Sequence, residues 1–307
     1  GQNAAAGGDN SPNKWQKSID RNAAVGLPFH GIWYIKYCQS KDKLILLSLG
    51  GATGTYGLSS DSEGQKLADS LWDLFGGGQS DTRPFGSASV DGFDLDIEAG
   101  ETKGYSAFVK RMRDHYDSDS SKNYYISAAP QCLYPDEYLS ETLNSAWFDF
   151  VWVQFYNNFC AVNSNQFNYD RWDRWAREES VNKQVKLFIG VPASSYAAND
   201  GFVSYEELTT AITEIRNKYD SIGGIMMWDA SVAYANTQDA TPNFAEAIAK
   251  FLHQDFDYSS ANVHTTKSPT RTRSTAIVTT STSLDNNEER LATPSESVSG
   301  SHYQNNK

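Results

Sequence analysis

The sequence predicts an α/β fold built on a parallel sheet or barrel, and three observations predict it. Up to Asp255, strand-sized apolar runs alternate with amphipathic helical stretches, the habit of chains that pack helices around a parallel sheet. Hydrophobic residues make up 39% of the 307-residue chain and aromatic residues 13%, with 8 Trp and 17 Tyr, which is ample for a large core. After Asp255 the alternation stops. The last 52 residues carry 10 Ser and 9 Thr with no periodicity, so burial there cannot offset the entropy of ordering. The expected organisation is a folded domain over residues 1–255 and a disordered, low-complexity Ser/Thr-rich tail or linker over 256–307. An O-glycosylated stalk and a plain unfolded tail both fit that composition.

Six strands are legible, at residues 44–49, 90–97, 124–128, 150–155, 185–191 and 224–228, each a short apolar run rich in β-branched or aromatic residues. Between them lie stretches with helical spacing. Leu67, Leu71, Leu74 and Phe75 share one face, as do Leu208, Ala211, Ile212 and Ile215. A doubly wound nucleotide-binding sheet would bring a Gly-rich turn after its first strand, but Gly76, Gly77 and Gly78 follow a helix. The net charge of −12 has the wrong sign for nucleic acid or anionic lipid. No apolar run approaches the 18 or so residues of a membrane span. Cys38, Cys132 and Cys160 are too few for a disulfide scaffold and too scattered for a zinc site, leaving room for one disulfide and one spare thiol. The chain opens at Gly1 without Met or a signal peptide, so an upstream segment is expected.

The most informative segment reads Asp91-Gly92-Phe93-Asp94-Leu95-Asp96-Ile97-Glu98. Side chains alternate faces along a strand, so Asp94, Asp96 and Glu98 share one side while Phe93, Leu95 and Ile97 share the other. With the apolar set against the helices, the acids point to the interior, where mutual repulsion and desolvation raise the pKa of at least one. Chemistry in such barrels gathers at the C-terminal strand ends, and Glu98 is the last and most accessible carboxyl of the row. A calcium site would draw its oxygens from a flexible loop rather than a fixed strand, so acid catalysis is the preferred reading. Asp94, deeper along the strand, is expected to support the site, and Asp91 is read as a turn residue.

This segment resembles the Asp-x-x-Asp-x-Asp-x-Glu signature of glycoside hydrolase family 18, the chitinases, in its class III and fungal branch. Further motifs follow in order: Ser48-Leu49-Gly50-Gly51, Ala129-Pro130-Gln131-Cys132 and Gln154-Phe155-Tyr156-Asn157-Asn158 are similar to the family's third, fifth and sixth barrel strands, and residues 224–228 to its eighth. The similarity runs from residue 44 to about residue 252. It implies a (β/α)8 TIM barrel. It also implies that Glu98 is the general acid, with Asp96 as its electrostatic partner orienting the substrate's acetamide and Tyr156 bonding to it. The nucleophile would be the substrate's own N-acetyl oxygen, an exception to the two-carboxylate scheme. Asp229, after Trp228, is the remaining protein candidate for that part. Trp228 would floor the central sugar, with Gln154, Asn157 and Gln2 as further substrate-binding residues. The resemblance pairs Cys132 with Cys160.

Against eight family strands this sequence shows six. Gly1-Gln2-Asn3 resembles the residues just after the family's first strand, so that strand is expected upstream, and residues 24–34 contain Gly26, Pro28 and Gly31, which read badly as a buried strand. The barrel is thus expected to be incomplete, with Cys38 unpaired and open sheet edges unless residues 14–34 improvise cover. The activity the resemblance implies is retaining endo-hydrolysis of chitin and related N-acetylglucosamine oligosaccharides by a secreted or cell-wall monomer that needs no metal or organic cofactor. Its rivals are an inactive carbohydrate-binding or inhibitor protein on the same scaffold and an endo-β-N-acetylglucosaminidase.

Overall fold

The computed structural model describes residues 28–53 and 56–255, with side chains for all of these except the first three and the last two. Gln2, the stretch before Pro28 and the residues after 255 lie outside the described residues. Within them, six parallel strands form one sheet: β1 (Leu46–Gly50), β2 (Gly92–Asp96), β3 (Tyr125–Ala128), β4 (Phe150–Gln154), β5 (Lys186–Pro192) and β6 (Ile222–Trp228). Their order in the sheet is their order in the chain. All six strands expected from the sequence are present, and the sheet is an incomplete TIM barrel, open between β1 and β6 among the described residues.

Amphipathic helices cover the outer face. Helix α2 (Asp61–Phe75) and helix α3 (Tyr105–Ser118) follow β1 and β2 and pack on each other. Ser60 caps α2 by accepting the Glu63 N–H, while the Glu63 carboxylate accepts the Ser59 N–H and hydroxyl. Helix α4 (Ser140–Ser145) precedes β4, and α5 (Tyr169–Arg174) runs on into a π-helical turn, Trp175–Glu179. Helix α6 (Tyr205–Lys218) opens with a reciprocal capping box between Ser204 and Glu207. Helices α7 (Ala230–Ala235) and α8 (Phe244–Asp255) follow β6. The core lies between sheet and helices. Phe93, Leu95 and Ile97 of the acidic strand are sealed there, Phe93 meeting Phe108 of α3 edge-on, as the alternation predicts.

One expectation from the sequence holds and one is revised. Pro28 and Gly31 argued against a strand, and the chain forms helix α1 (Pro28–Gln39) instead. Proline at the first helical position costs nothing, because its missing N–H would have had no intrahelical partner. Gly31 lies against the Phe85 ring, where a Cβ would come within 3.3 Å. Asp91 is not a turn residue. It is buried at the base of β2, its carboxylate accepting from Gln39 Nε2, the Ile45 N–H and Lys122 Nζ at 2.8–2.9 Å, so it ties α1 and the entrance of β1 to the acidic strand.

Candidate active site

Register builds the site. In the parallel ladder Ser48 of β1 and Ser127 of β3 stand beside Asp94, and both hydroxyls donate to its carboxylate at 2.6 Å. Trp152 of β4 adds its indole N–H at 2.8 Å. Burial raises the Asp94 carboxyl above its usual range, while these three donors favour its charged form. Asp94 is thus buried and held by three donors, one level below Asp96 on the strand. Ser127 and Trp152 were not singled out from the sequence, although their positions on neighbouring strands at the level of Asp94 carried the signal.

One step up the strand, Asp96 is largely buried and its carboxyl is pushed up to about 8, first by desolvation, then by the charges of Glu98 and Asp94. Among the described residues no cation opposes these causes. Gln154, the last residue of β4, reaches across with Nε2 at 3.0 Å from Asp96 Oδ1, 3.1 Å from Glu98 Oε1 and 2.9 Å from the Ala129 carbonyl. A single amide thus holds the two carboxyl groups together. The approach of β1 to this point requires glycine: a Cβ on Gly50, whose φ is +107°, would lie 2.1 Å from the Asp96 carbonyl oxygen. Glu98 lies beyond the strand end and is more open than Asp94, in the order predicted.

Tyr156 follows β4 by two residues and is buried. Burial raises its hydroxyl pKa, and Asp96 and Glu98 raise it further, so it is a neutral hydrogen-bond donor facing the acid pair. Trp228 ends β6 with 46% of its surface exposed, an aromatic face at the mouth rather than core. Asp229 is occupied elsewhere. Its carboxylate caps α7, accepting from the Val232 N–H and the Ser231 hydroxyl, which lowers its pKa. Asn157 is exposed and acts as a loop clip, its side-chain oxygen accepting the N–H groups of Asn199 and Asp200. Cys132 and Cys160 form a disulfide that joins the loops after β3 and β4, and Cys38 is a free thiol. The sequence reading also missed Tyr56, whose hydroxyl meets the Glu98 backbone.

An interior row of carboxyls on β2, an amide and a phenol at the end of β4 and an exposed indole at the end of β6 thus stand on three strands of one sheet. The family model of glycosyl hydrolases family 18 matches residues 9–244. The chain belongs to that family. Chitinase 2 of Rhizopus oligosporus is 52% identical over 202 residues, which cover 66% of this chain and 36% of that protein. Among solved structures, the family 18 fold here is similar to the chitinase ICChI of Ipomoea carnea, with a TM-score of 0.60 and 35% identity over 68% of this chain and 78% of that one. It is also similar to a xylanase and α-amylase inhibitor protein of Scadoxus multiflorus, with a TM-score of 0.64 and 34% identity over 73% of this chain and 80% of that one. The chain spans 36–40% of the length of the Rhizopus and Candida chitinases it matches at 46–52% identity.

Proposed function

We propose that the chain is a chitinase that cleaves β-1,4-linked N-acetylglucosamine polymers internally, with retention, by substrate assistance. The observation that carries this reading is the Asp96–Glu98 pair: two carboxyls of one strand, bridged by Gln154, one of them buried enough to hold a proton near neutral pH. Glu98, at the open end, donates its proton to the departing glycosidic oxygen. As that bond breaks, the carbonyl oxygen of the substrate's own acetamide attacks the anomeric carbon and forms an oxazolinium ring. Asp96, whose proton passes to Glu98 as the substrate binds, is then the carboxylate that accepts the acetamide N–H and balances the developing positive charge, while Tyr156 donates to the acetamide oxygen. Water then attacks from the face the leaving group vacated, giving up a proton to the Glu98 carboxylate, so the configuration is retained.

A protein nucleophile would need a second carboxylate about 5 to 5.5 Å from the acid, facing it across the scissile bond. The end of β4 offers Tyr156 in that direction, and Asp229 is engaged as a helix cap. Trp228 provides the flat apolar face on which a sugar ring stacks. The setting we infer is extracellular or cell-wall, with the chain acting as a monomer on chitin. Among the described residues no helix is long and apolar enough to cross a membrane.

The test is a pair of fluorogenic oligosaccharides that differ only in the acetyl group of the sugar whose glycosidic bond breaks. Cleavage of the N-acetylated form, with the β-anomer as first product by NMR, and none of the deacetylated form is the expected result. Equal cleavage of both would contradict substrate assistance, and release of N-glycans in place of chitin fragments would reassign the substrate.

A further inference from the structure

Glu98 is held by more than its own strand. Its backbone N–H donates to the Tyr56 hydroxyl at 2.8 Å, and that hydroxyl donates its own proton to the Gly51 carbonyl at 2.7 Å. The Gly51 N–H in turn donates to the Asp96 carbonyl at 2.6 Å. These bonds close a ring around Ile97, with the backbone on both sides of that residue clamped to the loop that leaves β1. The tyrosine is fixed at both ends. Its ring is buried. Its own backbone is pressed against the acidic segment: a Cβ on Gly100, at φ +79°, would come within 1.7 Å of the Tyr56 carbonyl oxygen. Two residues later, the Leu58 N–H donates to the Glu101 carbonyl at 2.7 Å.

We propose that Tyr56 is a positioning residue for the general acid: its hydroxyl fixes the backbone from which the Glu98 carboxyl is aimed, and so sets the distance between Glu98 and Asp96. The proposal rests on the assignment of Glu98 as that acid. Tyr56 reaches no substrate in this role; it acts through the Glu98 N–H. The titratable groups facing its hydroxyl are Asp96 and Glu98 from β2 and Tyr105 from α3, and burial with the two carboxylates raises its pKa, so the proton stays on and the direction of both bonds is defined.

Tyr56→Phe keeps the ring in the core and removes only the hydroxyl. The expected result is a fall in kcat of about tenfold or more, with KM within about twofold, because misaimed catalytic groups cost rate rather than ground-state binding. The pH profile separates aiming from general loosening. An untethered Glu98 relaxes away from Asp96, the part of the Asp96 shift that comes from its charge is lost, and the limb of kcat set by the Asp96 proton moves to lower pH. Simple loss of folded enzyme would scale the rate equally at every pH. Tyr105→Phe, beside Tyr56 in the core, is the control and leaves both kcat and the limb in place.

Amide hydrogen exchange reads the contact without turnover or substitution. In the unsubstituted 307-residue chain the Glu98 amide should exchange at least a hundredfold more slowly than an unprotected amide, and Tyr56→Phe should remove most of that protection. An unprotected Glu98 amide would overturn the proposal even if Tyr56→Phe failed to fold. Tyr56→Phe with unchanged kcat and an unshifted basic limb would overturn it alone, whereas a Glu98→Gln variant that keeps turning over would remove the acid assignment and this inference with it.

Discussion

Strands β2 to β5 and the two outer strands, β1 and β6, are built from the same residue types but live in different surroundings. Phe93, Leu95, Ile126, Val151, Val153, Leu187, Ile189 and Val191 are all 0% exposed. Leu47, Leu49, Ile222, Ile225 and Met227 of the outer strands are only half-buried. A strand with a neighbour on each side and a helix layer outside loses all its water; a strand paired on one side does not. The inner face tells the same story, since Tyr125, Phe150, Trp152 and Phe188 pack on one another, some stacked and some edge-on, with centroids 4.4–6.0 Å apart, yet remain half-buried. What the contrast teaches concerns the site. Asp94, Asp96, Glu98, Gln154 and Tyr156 lie on or just after β2 and β4, in the packed section, so the acid pair is held by neighbours that need no barrel closure. Only Ser48 and Trp228 stand on the outer strands.

The largest expected contrast is in turnover. Asp96→Asn, in the packed section, should lower kcat by two to three powers of ten, as for loss of a charge placed to meet the transition state. Trp228→Ala, on the outer strand, should raise KM by about tenfold, as for loss of a stacking platform worth about 1.4 kcal/mol. Steady-state kinetics on a chitin oligosaccharide reads both, and an equal fall in kcat from the two would break the comparison. Next comes stability. Leu95→Ala should cost about 2–5 kcal/mol by urea titration and Leu47→Ala about 1, because the outer site loses less buried surface and leaves no enclosed cavity. Equal losses would mean that β1 is covered in solution.

The disulfide offers a similar comparison. Cys132 and Cys160 are separated by 28 residues, and Cys160→Ser should cost about 3 kcal/mol, while Cys38→Ser on α1 should shift stability by less than about 0.5. A comparable effect from Cys38→Ser would show that its thiol has a structural partner. A separate contrast lies in pH dependence. In the unfolded chain the Asp96 carboxyl ionises near the ordinary value of about 3.9, and in the folded chain at about 8, so between these values the folded state keeps a proton that the unfolded state has released. The contribution of Asp96 to stability is therefore complete below about pH 4 and is lost as pH rises to about 8. Asp96→Asn should flatten this decline and gain on the unsubstituted chain at pH 8 relative to pH 5. Urea midpoints that stay parallel across that range would place Asp96 in a wetter site.

The six strands were legible because a parallel strand covered on both faces must be apolar along most of its length, and β4 and β5 meet that demand almost without interruption. The acid row was legible because period-two alternation puts its members on one face whatever the rest of the fold does. Helix α1 was not, since Pro28 and Gly31 speak only against a buried strand and give no sign of a helix until one knows that Pro28 stands at its first position. Asp91 looked like a turn residue because nothing local tells that Gln39, Ile45 and Lys122 converge on it from three other segments. Tyr56 was invisible for a related reason: it stands in a Gly- and Ser-rich loop with no periodicity, and its partners are backbone groups brought near by strand pairing. Asp229 could have been set aside from the sequence, because Asp before Ala-Ser-Val at the start of a helical turn is a preferred cap.

The most direct measurement is turnover of a fluorogenic chitin trisaccharide by the 307-residue chain and its Glu98→Gln form, with circular dichroism on the same samples. The account predicts matching spectra for the two proteins, turnover by the first, and less than a thousandth of that rate from the second. A folded Glu98→Gln protein keeping more than a tenth of the activity would contradict it, as would a folded unsubstituted chain that binds the trisaccharide and never cleaves it.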